Sequence, residues 1–240
     1  MPTAPKWIND AVEKMVPSMM RTVKVENTVY LNPAIKRVCL KGNFSGLSFD
    51  PGYTISFRVN ATDSRHYTVS YTNPSEGIIE FIAHIHGDAV GANYIAGLEP
   101  GNEEIKLTVL GSDRHYNPYV QKQLVFGDET SLGLMSGFLP LLKKNNHQFK
   151  FFVELDDDNR NIPSILGLEN CTGFSKHDVF RDREKISELS IFKNEDWSGA
   201  NVILTGNVTS IQNFKKVLKA NNHRGKIYVK GYWLEGKKGL

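Results

Sequence analysis

The residue types able to do chemistry gather first at Arg65-His66-Tyr67-Thr68. The quartet follows a polar loop, Asn60-Ala61-Thr62-Asp63-Ser64, and opens a β-type run through Tyr71. Strand side chains alternate, so Arg65 and Tyr67 share one face and Thr68 takes the other. A guanidinium fork beside a flat ring can cradle a cofactor that carries a phosphate and a fused ring system. Taken alone the pattern is common, and a solvent-facing arginine beside a packing tyrosine is its more frequent origin.

A second stretch is His86-Gly87-Asp88-Ala89-Val90-Gly91-Ala92-Asn93-Tyr94. It reads as a strand running into a glycine loop and then a short helix. Free N–H groups at such a helix start suit a pyrophosphate; the alternative is an ordinary strand–helix connection. His84 and His86 share one strand face, but no third ligand stands close in sequence. They read as strand histidines, and no metal site is expected.

A third stretch, Val125-Phe126-Gly127-Asp128-Glu129-Thr130-Ser131-Leu132, joins a strand to a helix. Open α/β sheets bind ligands at the carboxyl ends of their strands. Gly127 allows a tight turn, and Thr130 is the expected N-cap. Asp128-Glu129 could pass for an acid pair for hydrolysis. At a helix start they are expected instead to stabilise the positive end of its dipole. Leu204-Thr205-Gly206-Asn207 repeats the strand–glycine–helix arrangement.

The elements that must position these residues change character along the chain. Residues 5–20 predict a short helix, with Trp7, Ile8, Val12, Met15 and Val16 near one stripe and Pro17 loosening its end. From Arg21 to Gly111 the pattern has period two. The expected strands are 22–31, 35–41, 53–59, 67–71, 78–85 and 105–110, with a helix at 92–98. Turn residues such as Asn32-Pro33, Asp50-Pro51-Gly52 and Pro100-Gly101 separate them. Short strands at this spacing predict a closed barrel or a sandwich.

Beyond residue 118 strands and helices alternate. Strands are expected at 123–126, 149–155, 202–204 and 226–230, and helices at 132–144, 183–192 and 210–220. That grammar predicts βαβ units on a parallel sheet. Asn117-Pro118 is the expected hinge between residues 1–118 and 119–240.

Composition bounds the function. The 240 residues are 40% hydrophobic and 23% charged, as in a globular protein. A net charge of +3, with no basic run interleaved with aromatics, gives no reason to expect a nucleic-acid partner. Cys39 and Cys171 lie far apart and read as reduced packing residues. No apolar run approaches the roughly 18 residues of a membrane span. The first twenty residues lack a signal-peptide core, so a cytoplasmic location without membrane insertion is expected.

The order of these stretches is more specific than any one of them. Arg-x-Tyr-Thr in a barrel, a glycine loop with a short helix, Gly127-Asp128-Glu129-Thr130 and a terminal Tyr232-Trp233-x-x-Gly236 together resemble the siderophore-interacting protein family. These are NAD(P)H-dependent ferric-siderophore reductases of the ferredoxin-reductase-like superfamily. The resemblance implies an N-terminal six-stranded antiparallel FAD-binding barrel and a Rossmann-like parallel-sheet nicotinamide-binding domain. It places Arg65 on the FAD pyrophosphate, Tyr67 along the flavin and Thr68 near the ring nitrogen that accepts hydride. His66 and His86 fall among the implied cofactor contacts. The backbone of Ala89, Val90, Gly91 and Ala92 would cover the phosphates. Gly127, Asp128, Glu129, Thr130, Gly206 and Asn207 would line the nicotinamide cleft, and Tyr232 and Trp233 fall among the implied cofactor contacts.

The implied cofactors are FAD and NADPH or NADH. The implied partner is a ferric siderophore, met by a monomer, and no side-chain acid–base pair is required. Many such chelates are anionic, so Arg58, Lys230, Lys237 and Lys238 are expected to steer them. Ser70, Ala92, Tyr94, Asn207-Val208 and Leu234 depart from the family pattern. Backbone donors do not depend on these side chains. Two other readings stay open: an interaction module without ferric reductase activity, with or without flavin, and a flavin reductase that releases its reduced flavin.

Overall fold

The period-two stretch becomes six antiparallel strands: β1 (Met20–Asn32), β2 (Ile35–Gly42), β3 (Tyr53–Arg58), β4 (Ser64–Asn73), β5 (Ile78–His84) and β6 (Ile105–Ser112). They close into a barrel in the order β1-β2-β5-β4-β3-β6. This computed structural model describes residues 5–15, 19–47, 49–101, 104–112, 115–193 and 196–237. Contacts divide the chain into two compact units, parting between Arg114 and His115. Asn117 therefore lies in the second unit, where its carbonyl accepts from Gln123 Nε2 at 2.8 Å.

Alternation fills the barrel. Val23 and Val25, Val38 and Leu40, Ile55 and Phe57, Ile79, Phe81 and Ala83, and Leu107 and Val109 form one buried cluster. The opposite parity takes the other face, where Ile35, Thr54 and Ile82 are buried as well. One register shift lies in β4. Val69 pairs with Phe81 but Tyr71 pairs with Glu80, so Ser70 is the extra residue of a bulge in β4.

Ahead of the barrel, α1 (Lys6–Met15) is tied through a polar residue, since Asp10 accepts from Lys6 Nζ and from Arg58 Nη1, each at 2.7 Å. Trp7 and Met15 of its apolar stripe are exposed. Val16 and Pro17 lie outside the described residues. The helix after β5 is α2 (Val90–Ala96), starting two residues earlier than the periodicity suggests and ending at Gly97.

The second unit is a five-stranded sheet in the order β11-β10-β7-β8-β9. Its strands are β7 (Lys122–Asp128), β8 (Gln148–Leu155), β9 (Cys171–Ser175), β10 (Asn201–Asn207) and β11 (Ile227–Trp233). All four strand pairs are parallel. The long helices are α3 (Leu132–Lys144) and α7 (Val208–Ala220), and α4 (Ile162–Ile165) is a single turn. The expected helix over 183–192 is two pieces, α5 (Arg183–Ser187) and α6 (Ser190–Lys193). Between them the Glu188 and Leu189 N–H groups bond three residues back, to Lys185 and Ile186, and the α-helical ladder stops.

One face of the sheet buries Leu124, Phe126, Phe152, Val202 and Leu204 with Phe214 and Val217 of α7. Strand residues of the other parity, Val125, Phe151 and Val153, are buried too, as are Met135, Phe138 and Leu142 of α3. Both faces are covered, which is the condition for a parallel sheet.

Candidate functional site

In the barrel unit, β4 pairs with β3 so that Phe57 faces Arg65 and Thr54 faces Thr68. Arg65 is held at its own strand. Its Nη1 donates to the Ser64 carbonyl at 2.9 Å and lies 3.5 Å from Asp63 Oδ1. Its aliphatic stem lies against α2, because a Cβ built on Gly91 would stand 2.8 Å from Arg65 Cγ. Only glycine leaves room for that side chain.

Tyr67 turns to the barrel core, its ring centroid 5.0 Å from Phe81 and 5.9 Å from Phe57. Burial drives its hydroxyl far above the ordinary tyrosine range, with the Arg65 charge pulling the other way. His66 is exposed and Thr68 half-buried on the other face. Of the expected phosphate loop, Gly91 is the residue brought against Arg65. Ala89 is the N-cap of α2 and gives it no side-chain bond. Val90 is exposed and Ala92 buried. His86 lies two residues past the end of β5, its ring 5.3 Å from that of His84.

In the α/β unit the expected residues converge on Asp128. Its carboxylate is buried at the end of β7. Oδ1 accepts from Thr130 N at 2.9 Å and Thr130 Oγ1 at 2.5 Å. Oδ2 accepts from Asn207 N at 2.8 Å and from the Trp233 indole at 2.7 Å. Three strand ends are thus tied by one side chain. Burial pushes the Asp128 carboxyl upward, opposed by the bonds from Thr130 and Trp233 and reinforced by the charge of Glu129.

The glycines around Asp128 are sterically required. A Cβ on Gly206, at φ +95°, would meet Asp128 Oδ2 at 2.5 Å, and one on Gly127 would meet Ser131 at 2.2 Å. The cap is placed differently from the expectation. Asp128, extended at φ −124°, caps the 3-10 turn Glu129–Ser131, and Thr130 is the donor rather than the cap. Asn207 caps α7, accepting from Thr209 N at 2.8 Å.

Glu129 points away from Asp128. It is buried, with Oε1 accepting from Asp156 N at 2.7 Å and Asn159 Nδ2 at 3.0 Å, and Oε2 lying 2.8 Å from Lys176 Nζ. Burial pulls the Lys176 ammonium down, but Glu129 and Asp156 outweigh it and raise the group above its ordinary value. Tyr232 and Lys230 are half-buried on β11 and Lys237 is exposed. Lys238 lies outside the described residues. Arg58 is engaged with Asp10 and with the Asn60 and Ala61 carbonyls.

Two residues escaped the sequence reading. Glu154 sits at the carboxyl end of β8, in register with Asp128, and is 2% exposed. Burial pushes its carboxyl up to about 7, with Asp128 adding to the shift and Ser210, Arg181 and Lys176 opposing it. Lys36, on β2, is completely buried. It shares the inward parity of Val38 and Leu40 on a period-two strand, and that was a visible signal.

A closed antiparallel barrel followed by a doubly covered parallel sheet has counterparts among solved structures. Among solved structures, a siderophore-interacting protein from Acinetobacter baumannii matches with TM-score 0.71 at 20% identity, covering 91% of this chain and 92% of that one. A siderophore utilization protein from T. fusca matches with TM-score 0.70 at 18% identity, over 92% and 94% of the two chains. The flavohem-like FAD/NAD binding domain of nitric oxide dioxygenase from Vibrio cholerae matches with TM-score 0.69 at 15% identity, over 88% and 98%. No protein-family profile and no curated protein matches the sequence. At these identities the likeness establishes the fold.

Proposed function

We propose that this chain is a flavin-dependent reductase that passes electrons from NADPH or NADH through FAD to ferric iron held in a siderophore. The observation that supports it best is Arg65 lying over a glycine at the first turn of α2. The missing side chain of Gly91 makes room for the stem of a cation whose fork suits a phosphate. FAD held by that fork would supply the chemistry, taking a hydride and giving single electrons to ferric iron.

The residues of the chain would bind and orient. Arg65 would hold phosphate, Tyr67 would back the site from the barrel core, where it packs on Phe57 and Phe81, and Thr68 would offer a hydroxyl from the other face of the strand. In the α/β unit Asp128 fixes the three strand ends from which backbone groups of Gly127–Thr130 and Gly206-Asn207 would meet the coenzyme. We assign the first unit to the flavin and the second, which begins at His115, to the nicotinamide coenzyme. The reading takes the protein as a cytoplasmic monomer, where both coenzymes are present. Lys230 and Lys237 are the cations proposed to steer an anionic chelate.

Reconstitution tests this. Protein mixed with FAD is expected to turn yellow, to bleach on anaerobic addition of NADPH or NADH, and to regain colour when a ferric siderophore is added, with ferrous iron caught by a chromogenic chelator. A protein that takes up no FAD, or whose reduced flavin leaves ferric chelate unreduced, defeats the proposal.

A further inference from the structure

Lys36 places a charge where β2 calls for an apolar residue. It shares the inward parity of Val38 and Leu40, and its side chain is fully enclosed. Its Nζ donates to the carbonyls of Ala96 at 2.9 Å and Leu98 at 2.7 Å, and to Glu99 Oε1 at 3.0 Å. The Tyr30 ring lies 4.9 Å from the same nitrogen. Ala96 is the last residue of α2.

The two partners solve each other's difficulty. The last carbonyls of a helix lack intrahelical donors and carry the negative end of its dipole. A buried ammonium needs acceptors around it. Glu99 also accepts from Thr28 Oγ1 at 3.2 Å, which links the end of α2 to β1. At its other end the same helix carries Gly91, against the Arg65 stem. Between the ends Ala92 and Ile95 are buried, and Tyr94 lies 6.0 Å from Phe57. The helix is a short spacer, fixed at one end by Lys36 and meeting Arg65 at the other.

We infer that Lys36 is a positioning residue for the flavin-phosphate site, holding α2 so that Gly91 backs the Arg65 stem and fixes the direction of its guanidinium. The inference rests on the flavin reading proposed above. Lys36 acts through the helix and touches no cofactor, so its removal should weaken the grip on phosphate and leave the ring system alone.

Dissociation constants for FAD and for riboflavin, which has no phosphate, test this on the full chain by flavin fluorescence quenching. The variants are Lys36→Met and Lys36→Gln, with folding followed by circular dichroism. Lys36→Met is expected to weaken FAD about tenfold, equivalent to about 1.4 kcal/mol, and riboflavin hardly at all. Lys36→Gln keeps a donor for one carbonyl and should fall between parent and Lys36→Met; it supplies the measurement if Lys36→Met does not fold. Equal losses for the two flavins would mean a merely structural role and overturn the inference, as would no loss for either. A parent protein that binds FAD no tighter than riboflavin overturns the Arg65 reading, and this inference with it.

Discussion

Trp233 donates its indole N–H to Asp128 Oδ2 at 2.7 Å across 105 residues of sequence. The bond joins the last strand of the sheet to its first. Asp128 is buried, so an unmet acceptor there carries its full desolvation cost. Trp233→Phe is expected to lower stability by about 1–3 kcal/mol, and Asp128→Ala by at least as much. Because each removes the same bond, the double variant should lose less than the sum of the two, by about 0.5–3 kcal/mol. Urea unfolding of the four proteins measures the coupling; strict additivity would show that the bond contributes nothing.

Gly127→Ala and Gly206→Ala are expected to destabilise the α/β unit by about 1–3 kcal/mol or more. The added methyl would meet Ser131 at 2.2 Å in one case and Asp128 at 2.5 Å in the other. Thermal unfolding distinguishes this from a role confined to ligand binding, which would leave the midpoint in place.

Arg65→Ala removes the cation of the proposed flavin site. Loss of a charge-assisted contact costs about 1.5–3 kcal/mol, or roughly ten- to a hundredfold in affinity. Titration of the variant with FAD should show that weakening with the fold intact. Undiminished affinity would place the phosphates elsewhere.

Glu154 gives the stability of the protein a pH dependence. Its carboxyl titrates at about 7 in the fold against 4.5 outside it, so the folded state binds the proton more tightly. The stability this contributes is complete below about 4.5 and lost as pH rises through about 7. Glu154→Gln should flatten that decline and gain up to about 3 kcal/mol over the parent above neutrality. Unfolding midpoints across this range provide the check. A parent and variant with parallel pH profiles would assign the dependence to another group.

Electrostatic steering by Lys230 and Lys237 predicts a salt-sensitive reaction with anionic ferric chelates. The Debye length falls from about 10 Å at 0.1 M to about 3 Å at 1 M salt. The apparent second-order rate should fall with added salt for an anionic chelate and hardly change for a neutral one. In Lys230→Ala/Lys237→Ala the slope should be shallower. Identical slopes for parent and variant would remove these lysines from the docking surface.

The barrel was legible because its strands alternate cleanly and end in Gly, Pro and Asn. β9 was not legible. Cys171-Thr172-Gly173-Phe174-Ser175 is an edge strand, with Thr172 and Gly173 exposed and no residue fully buried, so it lacks an apolar face to announce it. The start of β4 was missed because Ser64, Arg65 and His66 are polar, and its paired positions on β3 decide its extent. The glycine turns of the α/β unit were visible, but the choice of Asp128 over Thr130 as the cap was not. It depends on donors from Asn207 and Trp233, which sequence proximity cannot supply. Lys36 sat in plain view at an inward position, yet its carbonyl partners are 60 and 62 residues away.

The closed order of the barrel also dictates when it can form during synthesis. β1 pairs with β2 on one side, but its other side waits for β6, with Met20 opposite Thr108. Until that strand leaves the ribosome, one row of β1 backbone groups has no partner. Such non-local closure is slow, and a bare strand edge invites pairing with other chains. β6 supplies partners for Met20–Val23 of β1 and for Tyr53–Phe57 of β3 together, so two open edges close with the arrival of one strand.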